Sequence, residues 1–454
     1  MASVTAAPTM TIARGDHSRF TFLPHYRLLL VTLANLYGIA LVLSLKYIIA
    51  PLFTYLGFGY HAVHDVRILV WMWGLVFIAS WCLPIQLHKP SAFFTWLIYL
   101  AVWVPAILMP PFTSHYVYAY VPMQAVLFFA MMALCGVNLL PVVRLPEPKW
   151  SFKLFVIFLF AYSGLILLWL IANVGLPTSV PSLLNPYQQR AAFSAAIAGS
   201  GPFLYLVKWQ TAVINPLLIL IGAARRKWII FAAGVGIIFL MYAMAGHKSY
   251  FGTTALVLAV YVALTFPPRF RSVLMVSGAL SVIVFCSAVY WLTGSINLIS
   301  ILVRRMLMMP GLLTGYYHEY FTAHGFTGRF GPLSAFLATP PMDLTTPRTI
   351  GEVYFGRSTV AANANFWADA YSAIGYQGVI LATILAVVIL WTIDSIAISR
   401  NLMIATPIFV VVLFGLVNSA LPITLLTHGL LISIIMVWAL PGADDTRLAR
   451  NHDA

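Results

Sequence analysis

Charge is what this chain has least of. Asp, Glu, Lys and Arg make up 8% of its 454 residues, where a water-soluble domain carries about a quarter. That shortage excludes a soluble globular protein. Carboxylates are the scarcest charged type, 11 against 25 basic side chains. None of them falls in the middle of an apolar run, which counts against a proton- or sodium-coupled transporter, whose ionisable groups sit near the bilayer midplane. No Asp-x-Asp pair or His-rich cluster occurs, so neither a metal site nor a cofactor is expected. The three cysteines, Cys82, Cys135 and Cys286, lie in apolar runs without metal-ligand spacing. They read as core residues with no disulfide role. Strand-like alternation in ten-residue segments is also missing, which excludes a transmembrane β-barrel. No cleavable signal peptide is expected, because residues 1–27 are polar and the first apolar run has full span length.

What is there is apolar, 62% of the chain. Runs of about 20 apolar residues cross a hydrocarbon core of about 30 Å as helices, which satisfy their own backbone in lipid. Twelve such spans are expected: 28–50, 68–87, 92–110, 119–142, 154–176, 203–223, 228–245, 250–267, 273–293, 373–393, 402–421 and 425–440. The fold class is therefore an all-α polytopic membrane protein. A leader, 1–27, precedes spans 1–9 (28–293, including a loop at 177–202). A large loop, 294–372, separates these from spans 10–12 (373–440) and a polar tail, 441–454.

The formal net charge is +14, but the basic residues are scattered between spans, so no nucleic-acid partner is expected. One set of loops, with both termini, holds 15 of the 25 Lys and Arg. By the positive-inside rule that side is cytoplasmic. Both termini then lie inside, and 177–202 and 294–372 face outward.

The outward loops hold the chemistry. Of the carboxylates only Asp65, Glu319, Asp343, Glu352 and Asp369 face outward. The long loop begins with a segment, 296–311, that reads as a short helix stopped at Pro310 and Gly311. Its many aromatics argue for order rather than a flexible linker. An outward arginine serves no orienting role, so each needs a partner. Arg304 and Arg305 are adjacent. They suit a phosphate clamp, because guanidinium is planar, always charged and binds oxyanions in a bidentate way; pairing with Glu319 is the plainer alternative. Arg190 stands alone in its loop, and either binds an anion or snorkels to headgroups. Lys248, beside His247 on an outer turn, is a further anion contact or an ordinary turn residue. His318 and Glu319 could take a proton from a sugar hydroxyl, or His318 is a plain interfacial histidine. His324 is a weaker version of the same. Lys208 reads as snorkelling, and His428 could reach a cavity from the last span.

Two of these arginines carry a resemblance. Arg190 is followed after ten residues by Gly201, and Arg304 after ten by Gly315. This paired arrangement in two outward loops resembles the periplasmic-loop motif of Wzy-type O-antigen polymerases, within the O-antigen ligase/polymerase group. The segment NFWADAYSAIGYQGVI is similar to the Gly-x-x-Gly lead-in to a late span in that group. The resemblance implies a C-type membrane glycosyltransferase in the bacterial inner membrane, acting on undecaprenyl-pyrophosphate-linked oligosaccharides, donor and acceptor, at the periplasmic face. It also implies contact with membrane lipids and with a chain-length regulator. In that reading Arg190, Arg304, Arg305 and Lys248 contact the pyrophosphate, and His318 or Glu319 is the base with Asp369 in reserve. Gly201 and Gly315 permit close backbone approach. An O-antigen ligase, which transfers glycan to lipid A-core, shares the electrophile. A lipid-linked oligosaccharide flippase is the alternative of another class.

Overall fold

The computed structural model describes residues 24–113, 117–146, 148, 151–177, 187–329 and 344–441. Among these there are helices and no strands. In chain order they are α1 (His25–Leu56), α2 (Val66–Cys82), α3 (Pro90–Thr113), α4 (Val121–Leu139), α5 (Phe152–Val174), α6 (Tyr187–Ala196), α7 (Phe203–Ala224), α8 (Trp228–Ala245), α9 (Ser249–Ala263) and α10 (Pro268–Thr293). They continue with α11 (Ile299–Met308), α12 (Met309–His324), α13 (Thr346–Phe355), α14 (Phe366–Ile374), α15 (Tyr376–Ile398), α16 (Leu402–Val417) and α17 (Leu421–Ala439). Nine of the described helices are long and apolar enough to cross a membrane. Three shorter apolar helices, α2, α9 and α16, fall on the remaining expected spans.

Most of these helices show only one side to their neighbours, as lipid-facing helices do. The exception is α3, of whose most apolar stretch 94% is buried inside the protein. Its aromatic side chains fill the core and keep their polar ends paired: Trp96 Nε1 donates to the Pro84 carbonyl at 2.8 Å and Trp103 Nε1 to the Leu127 carbonyl at 2.8 Å. The N-terminus of α3 is held by Asp394 of α15. Its carboxylate accepts from Ser91 N at 3.0 Å and Ser91 Oγ at 2.6 Å, where a helix N-terminus favours negative charge. The sequence reading ended this span at residue 393 and put Asp394 in a loop. The helix runs on to Ile398, and Asp394 is buried.

The segment 294–329 departs from expectation in one respect. The chain does not stop at Pro310. Helix α11 is wound as a π-helix for ten residues, and α12 continues from it with Pro310 in its first turn, where proline's missing N–H is tolerated. Helix α12 then lies along α3 at very short range. A Cβ on Gly311 would come within 2.3 Å of the Pro105 backbone, and one on Gly315 within 2.9 Å of Pro110 Cβ. This small-xxx-small face lets the two backbones approach. It pins α12 to the most buried of the nine long apolar helices described.

Candidate functional site

Arg304 occupies the π-helical turn of α11. Its Nη2 and Nε donate to Ser300 Oγ at 2.9 and 3.2 Å, and its guanidinium carbon lies over the Phe53 ring at 4.6 Å and the Phe58 ring at 5.9 Å. Burial and the adjoining Arg305 lower its pKa, yet guanidinium starts so high that it remains charged. Arg304 and Arg305 line a cavity of about 430 Å³ with Tyr55, Asn363, Asn418 and a third arginine, Arg357. Among the described residues no carboxylate lines it, and neither Arg305 nor Arg357 has an ion-pair partner. Glu319 is not part of this lining, so it does not neutralise the arginines from within the cavity.

Arg357 is one of the long loop's five arginines, but the sequence does not single it out as a site residue, nor Tyr55, Asn363 and Asn418. Arg357 reaches the cavity through a tight return after α13. Gly356 takes φ +65°, Val360 N bonds back to the Arg357 carbonyl at 3.1 Å, and Ala362 N to the Pro347 carbonyl at 2.9 Å. Gly351 is required where the returning strand of chain crosses the helix: a Cβ there would overlap the Val360 carbonyl. The signal in the sequence was the Gly-Arg pair closing a short amphipathic helix, but the fold-back that aims it is a long-range feature.

A second cavity, of about 500 Å³, opens on the other side of α12 and is lined by Tyr120, Gly315, His318, Glu319, Thr322, His324 and Tyr354 among others. Gly315's own close contact is with Pro110 of α3, so its bareness serves helix packing. His318 is boxed by aromatics. Its ring meets Tyr120 edge-on at 5.2 Å and leans on Tyr371 at 5.1 Å, and its Nε2 is 3.2 Å from Tyr376 Oη. Burial holds its pKa down to about 4, so the imidazole is uncharged at neutral pH. Between the two cavities stands an aromatic wall. Tyr316 stacks on Tyr354 with ring centroids 4.0 Å apart, and donates from Oη to the Gly57 carbonyl at 3.0 Å. Phe355 faces the arginine cavity and Tyr354 the histidine one.

The other expected residues lie elsewhere. Asp369, on α14, lines neither cavity. It sits near Tyr317, and burial pushes its carboxyl up to about 7. Arg190 on α6 does not join Arg304. Its Nε donates to the Gly246 carbonyl at 3.0 Å, while Gln189 Nε2 donates to the Met244 carbonyl at 2.8 Å. Both bonds satisfy carbonyls at the C-terminal end of α8, which a helix leaves unpaired. Phe193 of α6 meets the ring of His247 edge-on at 5.9 Å and is buried against α5, α7 and α8 in a core cluster separate from that around α11. Arg190 therefore does not line the cavity of Arg304 and Arg305, although the resemblance implies that all three contact one pyrophosphate. Lys248 is exposed on the same turn as His247. Gly201 adopts φ +53° with open space around it, so it is needed for its backbone angle rather than for a close approach. Asp343 lies outside the described residues. Among the described residues no three His, Cys, Asp or Glu side chains gather as a metal site would require. No protein-family model, curated protein or solved structure matches this chain.

Proposed function

We propose that this protein is a membrane glycosyltransferase that polymerises undecaprenyl-pyrophosphate-linked oligosaccharide repeat units into O-antigen or a related surface polysaccharide. In this reading it crosses the bacterial inner membrane about twelve times, the three shorter apolar helices included, with both termini cytoplasmic. The observation that carries the proposal is the cavity of Arg304, Arg305 and Arg357, which holds three guanidinium groups and, among the described residues, no carboxylate. Such a site binds a multiply charged anion. Its walls come from the long outward loop and from the expected outer ends of two spans, at Tyr55 and Asn418. A lipid-linked pyrophosphate would present itself at that height.

The acceptor hydroxyl oxygen bonds to the anomeric carbon of the donor glycan. The carbon–oxygen bond to pyrophosphate breaks, and its electron pair leaves on the pyrophosphate oxygen. The arginines stabilise that developing charge. The hydroxyl proton passes to a base, for which His318 and Glu319 are the candidates. Because they line the cavity beyond the Tyr316–Tyr354 wall, the acceptor must approach from that side and meet the anomeric carbon past the wall. An uncharged imidazole is able to accept the proton.

The test is complementation of a strain lacking this protein, read as a surface-glycan ladder. The wild-type chain should restore long chains, and Arg304→Ala combined with Arg357→Ala should leave a single capped repeat. Long chains from that double variant would sink the assignment. Long lipid-linked chains with no attached glycan would indicate a ligase instead. Lipid-linked repeats held at the cytoplasmic face would indicate a transporter.

A further inference from the structure

The arginine cavity holds more than arginines. Two carboxamides, Asn363 and Asn418, line it, together with the rings of Tyr55 and Phe355. A pyrophosphate offers acceptors, which the guanidinium donors already match. The cavity volume of about 430 Å³ is also that of about 14 waters at about 30 Å³ each, more than two phosphate groups occupy.

Each asparagine is set in place by its backbone. Asn363 lies on the run that returns from α13 to α14, and its neighbours are tied on both sides. Ala362 N donates to the Pro347 carbonyl at 2.9 Å, and the Ala362 carbonyl accepts from Tyr317 Oη at 2.9 Å. Asn365 Nδ2 donates to Thr314 Oγ1 at 2.7 Å and to the Pro310 carbonyl at 3.1 Å, while its Oδ1 caps α14 by accepting from Trp367 N and Ala368 N. Ala362, Ala364 and Asn365 are buried, and Asn363 among them is exposed. Asn418 shows the same pattern at the end of α16. Its N–H donates to the Gly415 carbonyl at 3.2 Å, and φ −142° turns it out of the helix. It is exposed while Val417 and Ser419 on either side are buried. Among the described residues neither carboxamide has a hydrogen-bond partner, although three guanidiniums line the same cavity.

A carboxamide presents both a donor and an acceptor, which is what a hydroxyl group can use and a phosphate cannot. Tyr55 is 75% exposed, and Phe355 meets Tyr316 of the aromatic wall edge-on at 6.2 Å. Aromatic rings with a few convergent polar groups are the lining of a site for a small organic ligand. A sugar ring, apolar on its C–H face and polar at its rim, fits both.

We propose that Asn363 and Asn418 are specificity-determining residues, which bind the hydroxyls of an uncharged sugar ring joined to the pyrophosphate, with Tyr55 and Phe355 against the ring's apolar face. The inference rests on the pyrophosphate reading of the arginines. It adds that the donor is selected by its first sugar as well as by its phosphates. A ring bearing an ammonium is refused, because three guanidiniums repel it and no carboxylate among the described lining residues compensates.

Isothermal titration calorimetry of the full chain in detergent tests this with three probes: farnesyl pyrophosphate alone, and farnesyl pyrophosphate carrying glucose or glucosamine. The bare probe reads the arginines, and the difference between the bare and glucosyl probes reads the asparagines. The glucosyl probe should bind about 25-fold more tightly than the bare one, at about fivefold for each carboxamide. Asn363→Ala and Asn418→Ala should each remove about fivefold of that preference and leave the affinity for the bare probe unchanged. Arg304→Ala should weaken both probes equally. Asn418→Asp should weaken even the bare probe, because a carboxylate in the cavity would pair with the guanidiniums. The glucosaminyl probe should bind no more tightly than the bare one. Equal binding of the bare and glucosyl probes, both lost in Arg304→Ala, would overturn the inference and leave the pyrophosphate reading standing. A sugar preference that survives both alanine variants would overturn the assignment to these residues, and tight glucosaminyl binding would overturn the uncharged ring. Failure of the bare probe to bind would overturn the pyrophosphate reading and this inference with it.

Discussion

Arg304 and Arg190 share the same spacing to a following glycine, and the fold uses them in opposite ways. Around Arg304 the partners are a serine hydroxyl and two aromatic faces, none of which neutralises a charge, and two further arginines line the same cavity. At Arg190 the guanidinium meets the carbonyl end of a helix, where a cation is already welcome. One arginine is left with unspent charge facing a cavity, and the other ties α6 to the end of α8. The lesson is that a basic residue's role follows from whether the protein supplies acceptors for it.

The widest separation should appear in activity. On the proposed polymerase function, Arg304→Ala should reduce polymer formation by about 100-fold, the scale seen when one donor to a developing anion is removed, with little change in the melting temperature. Arg190→Ala should act mainly on stability, by about 1–2 kcal/mol for the lost charged hydrogen bond, and reduce activity only in proportion to folded protein. Turnover of a polyprenyl-pyrophosphate-linked substrate per folded molecule measures both. Equal loss in the two variants at equal stability would restore Arg190 to the site.

The two paired glycines sharpen the contrast. Gly315 and its neighbour Gly311 form a helix contact, so Gly311→Ala must displace the Pro105 backbone from 2.3 Å and should cost about 2–3 kcal/mol. Gly201→Ala meets nothing within 4 Å and should cost only about 1 kcal/mol for its left-handed angle. Thermal melts in one detergent compare them. A cost at Gly201 as large as at Gly311 would mean that α6 and its flanking turn are packed more tightly than this structure has them.

The membrane architecture was legible because each helix must carry its own apolar length. Nine of the expected runs fall on helices long and apolar enough to cross a membrane, and the other three on shorter apolar helices; boundary errors, such as Asp394, arose where a buried carboxylate found a helix N-terminus to cap. The arginine cavity was half legible. Arg304 and Arg305 stood out as outward cations without orienting purpose. Arg357 had the same credentials, yet only the turn at Gly356 and the crossing at Gly351 aim it inward. The failed link between Arg190 and Arg304 has a plain cause: spacing within a loop carries no information about which helix end the loop docks against.

The segment from α12 to α14 offers one more contrast, between His318 and Asp369. Burial drives both toward their uncharged forms, but in opposite directions on the pH scale. His318 titrates near 4 against 6.5 when unfolded, and Asp369 near 7 against 3.8. Below pH 6.5 the unfolded chain takes up the histidine proton first, so His318 lowers stability as the pH falls toward 4. Below pH 7 the folded chain takes up the Asp369 proton first, so that carboxyl raises stability over nearly the same window. Each shift would be worth at most about 4 kcal/mol. The two slopes therefore largely cancel in the wild-type protein and separate in single variants. Relative to wild type, His318→Gln should melt progressively higher as the pH is lowered from 7.5 to 5, because only the Asp369 slope remains. Asp369→Asn should show its greatest stabilisation above pH 7 and lose it on acidification. Melting curves that shift in parallel for both variants would mean that these groups titrate in contact with water, and that neither the aromatic box around His318 nor the packing around Asp369 is closed.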